Sequence, residues 1–150
     1  GPSVMKGYLN NPKATREVLD GEGWYYTSDL GWIDDEGYIF LSGRSSEMYK
    51  SGGENVFPRE VEEVLESHPA VLFAAVLGVP DPLYQEAGHG FVMLKAGQSV
   101  DGNALREHCK LHLANFKVPK KFTIESALPL LPNGKVNKMA LRGRLNSDGG

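Results

Sequence analysis

The sequence predicts an α+β protein in two parts: a β-meander within residues 1–43, then a small α/β domain over residues 44–145. The second part is expected to have a short mixed sheet and about three helices. Residues 24–41 contain three short runs of aromatic and branched side chains separated by turn residues, which is typical of a meander. Beyond residue 56, apolar runs alternate with segments of helical periodicity, which indicates an α/β arrangement. The small polar residues 146–150 are expected to form a flexible tail.

The first part begins with a short helix. Asn11 and Pro12 provide an N-cap and a first helical position, and glycines at 21 and 23 end the helical segment. Three strands are then expected, at Trp24–Thr27, Leu30–Ile33 and Tyr38–Leu41. An acidic turn at residues 34–37 joins the last two, and the meander ends near Gly43.

A change of character follows, and it predicts the domain boundary. Ser45 and Ser46 lead to a small-residue loop, residues 50–53, that is suited to bending. Pro58 then opens a helix with an apolar face formed by Val61, Val64 and Leu65. The helix also carries carboxylates that are expected to form a solvated face: Glu60, Glu62, Glu63 and Glu66.

The rest of the second part alternates strands and helices. Apolar runs predict two strands covered on at least one side, joined by a loop at residues 80–82: Ala70–Val79 and Gly90–Lys95. The second helix is capped by Ser99 or Asp101 and runs through Asn115. Four of its residues are expected to face inward: Leu105, Cys109, Leu113 and His112. A short strand at Phe122–Glu125, a turn at residues 133–134 and a helix from about Lys138 to Leu145 complete it.

Composition excludes several functional classes. The net charge of −3 gives no basic excess for nucleic acid, and no apolar run approaches the 18 residues of a membrane span. The single Cys109 cannot form an internal disulfide, and no charged-then-apolar leader opens the sequence, so a cytoplasmic location is expected. His108 and His112 lie four residues apart, but no third ligand has suitable spacing, so no metal site is expected.

Three blocks stand out when they are read together. They are residues 26–31 (YTSDLG), residues 43–56 (GRSSEMYKSGGENV) and residues 132–136 (PNGKV). In order and spacing, they resemble the adenylate-forming, AMP-binding superfamily of acyl-CoA synthetases, luciferases and peptide-synthetase adenylation domains. The middle block, continued by Pro58 and Arg59, is the most specific, and the resemblance covers nearly the whole chain.

The resemblance implies nucleotide-binding and catalytic roles. Asp29 and Arg44, fifteen residues apart, match the pair that hydrogen-bonds the ribose hydroxyls of AMP. Lys135 matches the lysine that stabilises charge on the α-phosphoryl group during adenylation. Taken alone, Asp29 would be predicted as a turn residue and Lys135 as a solvated lysine after a turn. Ser28 stands where the family usually has glycine.

A second set of residues matches the thioester-forming step. Gly52, Gly53 and Glu54 correspond to the loop that lines the channel for the pantetheine arm of CoA, and Lys50 to a lysine facing the active site in that step. An ordinary exposed turn is the alternative for this loop. Ser46 matches the hinge, where Asp or Lys is commoner in the family. Three further lysines form a run that either contacts a CoA phosphate or is a solvated edge: Lys117, Lys120 and Lys121.

The implied protein is the C-terminal lid of an enzyme that joins a carboxylic acid to CoA at the expense of ATP, accompanied by Mg²⁺. Its partner would be the large N-terminal domain, to which residues 1–43 would belong. Because the acyl pocket and phosphate loop lie outside these residues, the isolated chain is expected to be inactive. The alternatives are a stand-alone module that binds CoA or a carrier protein, and the lid of a peptide-synthetase adenylation domain.

Overall fold

The computed structural model describes residues 1–147, and the chain divides into two compact units between Ser46 and Glu47. Of the predicted tail at 146–150, residues 148–150 lie outside the described part of the chain. The backbone of residues 146 and 147 instead continues the last helix, which reaches two residues beyond the predicted end at Leu145.

The first unit contains one helix, α1 (Pro12–Val18), and an antiparallel hairpin of β1 (Asp29–Ile33) and β2 (Ile39–Arg44). The predicted N-cap is confirmed, since the Asn11 side chain accepts a hydrogen bond from the amide of Ala14 at 3.0 Å. The hairpin turn is held by the Asp34 carboxylate, which accepts from two backbone amides at 2.8 and 3.0 Å.

The strand predicted at Trp24–Thr27 is wrong. Within this segment only Tyr25 forms an isolated bridge, with Leu19. The carboxylate of Asp20 accepts hydrogen bonds from the amides of Glu22 and Trp24 at 2.9 and 2.8 Å. A side chain that takes up backbone donors in this way favours a turn over a strand. The predicted three-stranded meander is therefore a two-stranded hairpin preceded by a loop.

No residue of the first unit is buried. Trp32 stacks on Phe40 at 4.3 Å between ring centroids, yet both remain exposed, and Ile39 and Leu41 are 70% and 73% exposed. Because neighbouring residues of a strand point to opposite faces, this hairpin presents apolar side chains on both faces. The unit thus has no hydrophobic core of its own.

The second unit is a mixed five-stranded sheet with helices on both faces, and the predicted short mixed sheet with about three helices is confirmed. Its strands are β3 (Tyr49–Ser51), β4 (Glu54–Val56), β5 (Val71–Asp81), β6 (Gln85–Leu94) and β7 (Lys121–Glu125). Its helices are α2 (Pro58–Ser67), α3 (Gly102–His112) and α4 (Lys138–Ser147), with a 3₁₀ turn at Asn115–Lys117. Neighbouring strands run β4-β3-β6-β5, and β7 pairs in parallel with β6.

Two parts of the sheet differ from the prediction. The loop expected at residues 80–82 is shorter, because Pro80 and Asp81 continue β5 and the Asp81 carboxylate caps the turn by accepting from the amides of Leu83 and Tyr84, both at 2.9 Å. The small-residue loop at 50–53 is itself a hairpin between β3 and β4. Strands of three residues are too short for a period-2 pattern to indicate them.

The core consists of two clusters on opposite faces of β5 and β6. Ala74 and Val76 point to the cluster beneath α2 and α3, whereas Ala75 and Leu77 point to the cluster beneath α4. This alternation explains the near-continuous apolar run of β5, since a strand covered on both faces needs apolar side chains at successive positions. Leu65, Leu105 and Leu141 anchor the three helices and are fully buried.

The prediction that all four α2 carboxylates are solvated is wrong for Glu62, which is buried. Its side chain accepts a hydrogen bond from the amide of Val76 at 2.9 Å and pairs with the ammonium of Lys138 at 2.8 Å. Glu66, one turn later, accepts from the amide of Ala74 at 3.4 Å. Since β5 pairs only with β6, these carboxylates cover amides on the free edge of the sheet.

Helix α3 is capped by Asp101 rather than Ser99, and it ends at His112 rather than Asn115. Leu105 and Cys109 are buried as predicted, and burial raises the pKa of the Cys109 thiol to about 11, which disfavours the reactive thiolate. His112, predicted to face inward, is exposed. Helical periodicity alone did not show that His112 lies in the last turn of the helix, where the chain leaves the core.

His89 is expected to make the stability of the second unit depend on pH in the acidic range. It is buried on β6, its Nε2 lies 2.8 Å from the Thr123 hydroxyl, and its ring stacks on Phe91. Burial, assisted by the charge of Lys121, lowers the pKa of His89 to about 4. A lowered folded-state pKa gives stability that is present above the unfolded value and is lost as the pH falls toward the folded value.

We expect acidification from pH 7.5 to 4.5 to lower the free energy of unfolding of the wild-type chain by about 2–3 kcal/mol more than that of a His89→Gln variant. Urea denaturation followed by circular dichroism at 222 nm measures this, because both tryptophans, Trp24 and Trp32, lie in the first unit. The exposed His112→Gln variant serves as the control and should keep the wild-type pH dependence. Parallel pH curves for wild type and His89→Gln would contradict the assignment.

Candidate functional site

The predicted nucleotide-binding pair lies at the open end of the first unit's hairpin. Asp29 and Arg44 are directly opposite each other on β1 and β2, and Arg44 Nε lies 3.1 Å from Asp29 Oδ1. The backbone and hydroxyl of Ser45 both donate to the carbonyl of Ser28, at 2.9 and 3.2 Å. The structure thus brings together a carboxylate acceptor and a guanidinium donor that sequence separates by fifteen positions.

Ser28, beside this pair, adopts a backbone conformation that favours glycine. Its φ is +62°, in the left-handed region that costs a residue with a Cβ roughly 1–2 kcal/mol. A family preference for glycine at this position has therefore a conformational reason in this chain. Serine is accommodated here with the left-handed backbone retained.

The predicted channel loop is the turn between β3 and β4. Gly52 and Gly53 have φ values of +61° and +88°, as a two-residue hairpin turn of the primed type requires. Gly52 donates its amide to the carbonyl of Tyr84 at 2.9 Å, and the amide of Lys50 donates to Glu86 at 3.1 Å. The tip of the β5–β6 hairpin therefore holds this loop, while the side chains at positions 50 and 54 stay exposed.

Tyr49 fixes the strand that enters this loop. It lies over the paired glycines Gly78 and Gly88, where a Cβ would stand 2.4 Å from Tyr49 Cβ and 2.5 Å from Tyr49 Oη respectively. Any side chain at either glycine would displace the tyrosine. These glycines were the available signal for a close approach, since glycine within a strand pattern often marks one.

Lys135 occupies a second loop, which is also well ordered by hydrogen bonds. Leu130 and Val136 form an antiparallel bridge, and the amide of Leu131 donates to the carbonyl of Lys135 at 2.7 Å. Gly134 has a φ of +80°, which completes the turn predicted from Asn-Gly. The Lys135 side chain is exposed, and no ion pair involves it among residues 1–147. An exposed ammonium on an anchored turn can contact an anion.

An ion cluster next to this loop was not predicted from the sequence. Lys138, the first residue of α4, places its ammonium against the carboxylates of Glu62 and Glu47. Burial acts to lower the pKa of Lys138, but the two carboxylates outweigh it, so the pKa lies above its ordinary value. In the sequence, Lys138 is only a basic residue at the start of a helix, and nothing there pairs it with a glutamate 76 positions earlier.

The predicted hinge residue, Ser46, is the last residue of the first unit, which also contains Asp29 and Arg44. The second unit holds Lys50, Gly52, Gly53, Glu54 and Lys135. Within it, no hydrogen bond or ion pair described for residues 47–147 joins the channel loop to the Lys135 loop. Within the second unit, the predicted site residues are therefore divided between two separate turns.

His108 and two residues of the lysine run have structural partners. His108 Nε2 lies 2.9 Å from the Val64 carbonyl, and no group of three or more potential metal ligands is found within the described chain. In the lysine run, Lys117 pairs with Glu60 at 2.6 Å and Lys120 lies over the ring of Tyr84 at 4.7 Å. None of the helices formed by residues 1–147 has the length and apolarity that crossing a membrane requires.

Comparison with known proteins gives these turns a family context. A sulfoacetate–CoA ligase from Cupriavidus necator is 45% identical over 94% of this chain, which spans 28% of the ligase. The o-succinylbenzoate CoA synthetase MenE from Bacillus subtilis, solved with the acyl-adenylate intermediate OSB-AMP, superimposes with a TM-score of 0.85 at 39% identity. That match covers 97% of this chain and 28% of MenE.

A third match has a different printed activity. The amide bond synthetase McbA from Marinactinospora thermotolerans superimposes with a TM-score of 0.84 at 37% identity, over 95% of this chain and 29% of McbA. The chain thus spans less than a third of each of these proteins. Residues 60–135 of this chain, half of its length, match the family described as AMP-binding enzyme C-terminal domain. The chain therefore belongs to the AMP-binding enzyme C-terminal domain family.

Proposed function

We propose that this chain is the C-terminal lid of an ATP-dependent acyl-CoA synthetase, with residues 1–43 belonging to the end of its large domain. The observation that carries the proposal is that one folded unit presents two separately anchored working turns. One bears Lys135 and the other bears Lys50 with Gly52 and Gly53. Two turns on one unit suit an enzyme that carries out two half-reactions in succession.

In the first half-reaction, a substrate carboxylate oxygen bonds to the α-phosphorus of ATP while the bond to pyrophosphate breaks. Negative charge grows on the phosphoryl oxygens and the leaving group, and an ammonium aimed at them stabilises it. The exposed Lys135 ammonium takes this role. Mg²⁺ would accompany the ATP phosphates and supply further charge neutralisation there, and no described residue is proposed as its ligand.

In the second half-reaction, the thiol of CoA attacks the acyl carbonyl and AMP leaves. The turn at Gly52 and Gly53 carries no Cβ, so a narrow pantetheine arm can pass close to its backbone. Lys50 and Glu54 stand at either side of this turn. Rotation of the lid about Ser46 exchanges the two turns, as lids commonly do between catalytic steps.

The nucleotide is held by the first unit in this proposal. Asp29 accepts hydrogen bonds from the ribose hydroxyls of ATP and AMP, and Arg44 donates to them. Their mutual contact at 3.1 Å orients both side chains before a ligand arrives. The exposed apolar faces of the hairpin support the assignment of this unit to a larger domain, because surfaces of that kind are ordinarily covered.

One alternative concerns the acyl acceptor, which could be an amine instead of the thiol of CoA. McbA, similar in fold, is named as an amide bond synthetase, so an amine is the competing acceptor to CoA. Two further alternatives are a stand-alone module that binds CoA or a carrier protein, and the lid of a peptide-synthetase adenylation domain. A screen of the full-length enzyme with ATP, carboxylic acids and either CoA or amines discriminates among them.

In the full-length enzyme, Lys135→Ala should reduce acyl-adenylate formation by about a hundredfold or more, because the charge-stabilising ammonium is lost. Conversion of supplied acyl-adenylate to thioester should continue. Pyrophosphate release measures the first step and thioester formation the second. The exposed Lys110→Ala variant is the control, and an equal loss of both steps would contradict the division of roles.

A Gly53→Leu change should have the opposite effect, blocking thioester formation while sparing pyrophosphate release. Gly53 has a positive φ, so any side chain there strains the backbone. Gly53→Ala therefore controls for strain, since it adds the Cβ without filling a channel. The expected order of thioester rates is wild type, then Gly53→Ala, then Gly53→Leu, and a similar fall in pyrophosphate release would exclude the assignment of the loop.

The 150-residue chain by itself should form no acyl-adenylate and no thioester from ATP, CoA and a carboxylic acid, because it spans only 28% of a related ligase. Mass spectrometry of the reaction mixture checks this. Mixing the chain with a separately produced large domain is the positive control. Turnover by the chain alone would contradict the proposal that it is a lid.

A further inference from the structure

We propose that Glu47 and Lys138 are positioning residues that fix the Lys135 loop relative to the hinge. The inference rests on the proposed role of Lys135 and extends it to groups that would not touch the substrate. Glu47 is the first residue of the second unit, immediately after Ser46, and its carboxylate pairs with the ammonium of Lys138. The cluster therefore links the residue after the hinge to the helix that follows the catalytic turn.

The link is short on the side of Lys135. Only Val136 and Asn137 separate Lys135 from Lys138, and both are fixed: Val136 packs against the cluster beneath α4, and Asn137 caps α4 by accepting from the amide of Ala140 at 3.1 Å. Lys135 itself has no ion pair among the described residues. Its place is therefore set by its neighbours, and an anchored Lys138 limits how far the turn can move.

The two carboxylates on Lys138 have different environments. The Glu62 side chain is 6% exposed and also accepts the amide of Val76, so it belongs to the folded frame. The Glu47 side chain is 41% exposed and has no other described partner. Replacing Glu47 leaves Lys138 neutralised by Glu62, so the link to the hinge is removed without leaving an uncompensated buried charge.

The chain supplies a matched control. Lys117 pairs with Glu60 at 2.6 Å, and the side chains of that pair are 23% and 42% exposed, against 23% and 41% for Lys138 and Glu47. The control pair joins α2 to the 3₁₀ turn and does not involve the Lys135 loop. Glu60→Gln therefore removes an ion pair of the same kind from the same domain.

In the full-length enzyme, Glu47→Gln should lower the turnover number of acyl-adenylate formation about tenfold, because small displacements of a catalytic group are costly. KM for ATP and the conversion of supplied acyl-adenylate to thioester should change less than about twofold, since Lys135 acts only in the first step. Glu60→Gln should leave both steps at wild-type rates. Lys138→Arg should retain the first step better than Lys138→Met.

A second measurement tests the positioning without activity. In the 150-residue chain, amide hydrogen exchange reports the hydrogen bonds of the loop through Leu131, Gly134 and Asn137, whose amides donate within it. Glu47→Gln should accelerate exchange at these amides about tenfold, while Glu60→Gln should not. Unchanged exchange, or equal effects of the two variants, would overturn the inference. If the wild-type enzyme formed no acyl-adenylate, the proposed function would fail, and the exchange comparison would still decide whether Glu47 orders the loop.

Discussion

The second unit depends on the two interactions that the carboxylate of Glu62 makes. The carboxylate lies at the free edge of β5, where no neighbouring strand offers a carbonyl to the amide of Val76. The carboxylate accepts the hydrogen bond from that amide instead. The ammonium of Lys138 neutralises the charge. Removing one partner of such a buried pair generally costs about 3–5 kcal/mol, because the other is left uncompensated. The Glu62 side chain thereby satisfies a backbone amide at the sheet edge and also binds α4, which packs on the opposite face of the sheet.

The β5–β6 hairpin holds both of the turns that carry the proposed site residues of the second unit. At its tip, Tyr84 and Glu86 accept amides from the channel loop. Along its free edge, Glu62 connects Val76 to Lys138 and so to the turn that carries Lys135. The two turns make no direct contact by hydrogen bond or ion pair within the described residues, yet both are held by the same hairpin. The proposed rotation of the second unit would therefore carry the two turns together.

Much of this architecture could be predicted because it follows from local pattern. The apolar run of β5, the caps at Asn11 and Asp101, and the turn at Gly134 each depend on residues close in sequence. The placement of Glu62 could not be predicted in this way, since four glutamates on one helix have the same character until the sheet edge beside them is known. Asp29 and Arg44 were paired by resemblance rather than by chemistry. The strand predicted from Trp24 failed because the Asp20 side chain took the local amides.

The position of Lys138 also has a consequence for how the chain assembles. Pairing of β5 with β6 is local and can form early, whereas α4 follows every strand in the sequence and is synthesised after them. Until Lys138 arrives, Glu62 has no cation, and burying its carboxylate alone is unfavourable. During synthesis on the ribosome, the edge of the sheet is therefore completed only when the segment bearing Lys135 has emerged. Completion of this sheet edge and arrival of the proposed catalytic turn therefore coincide.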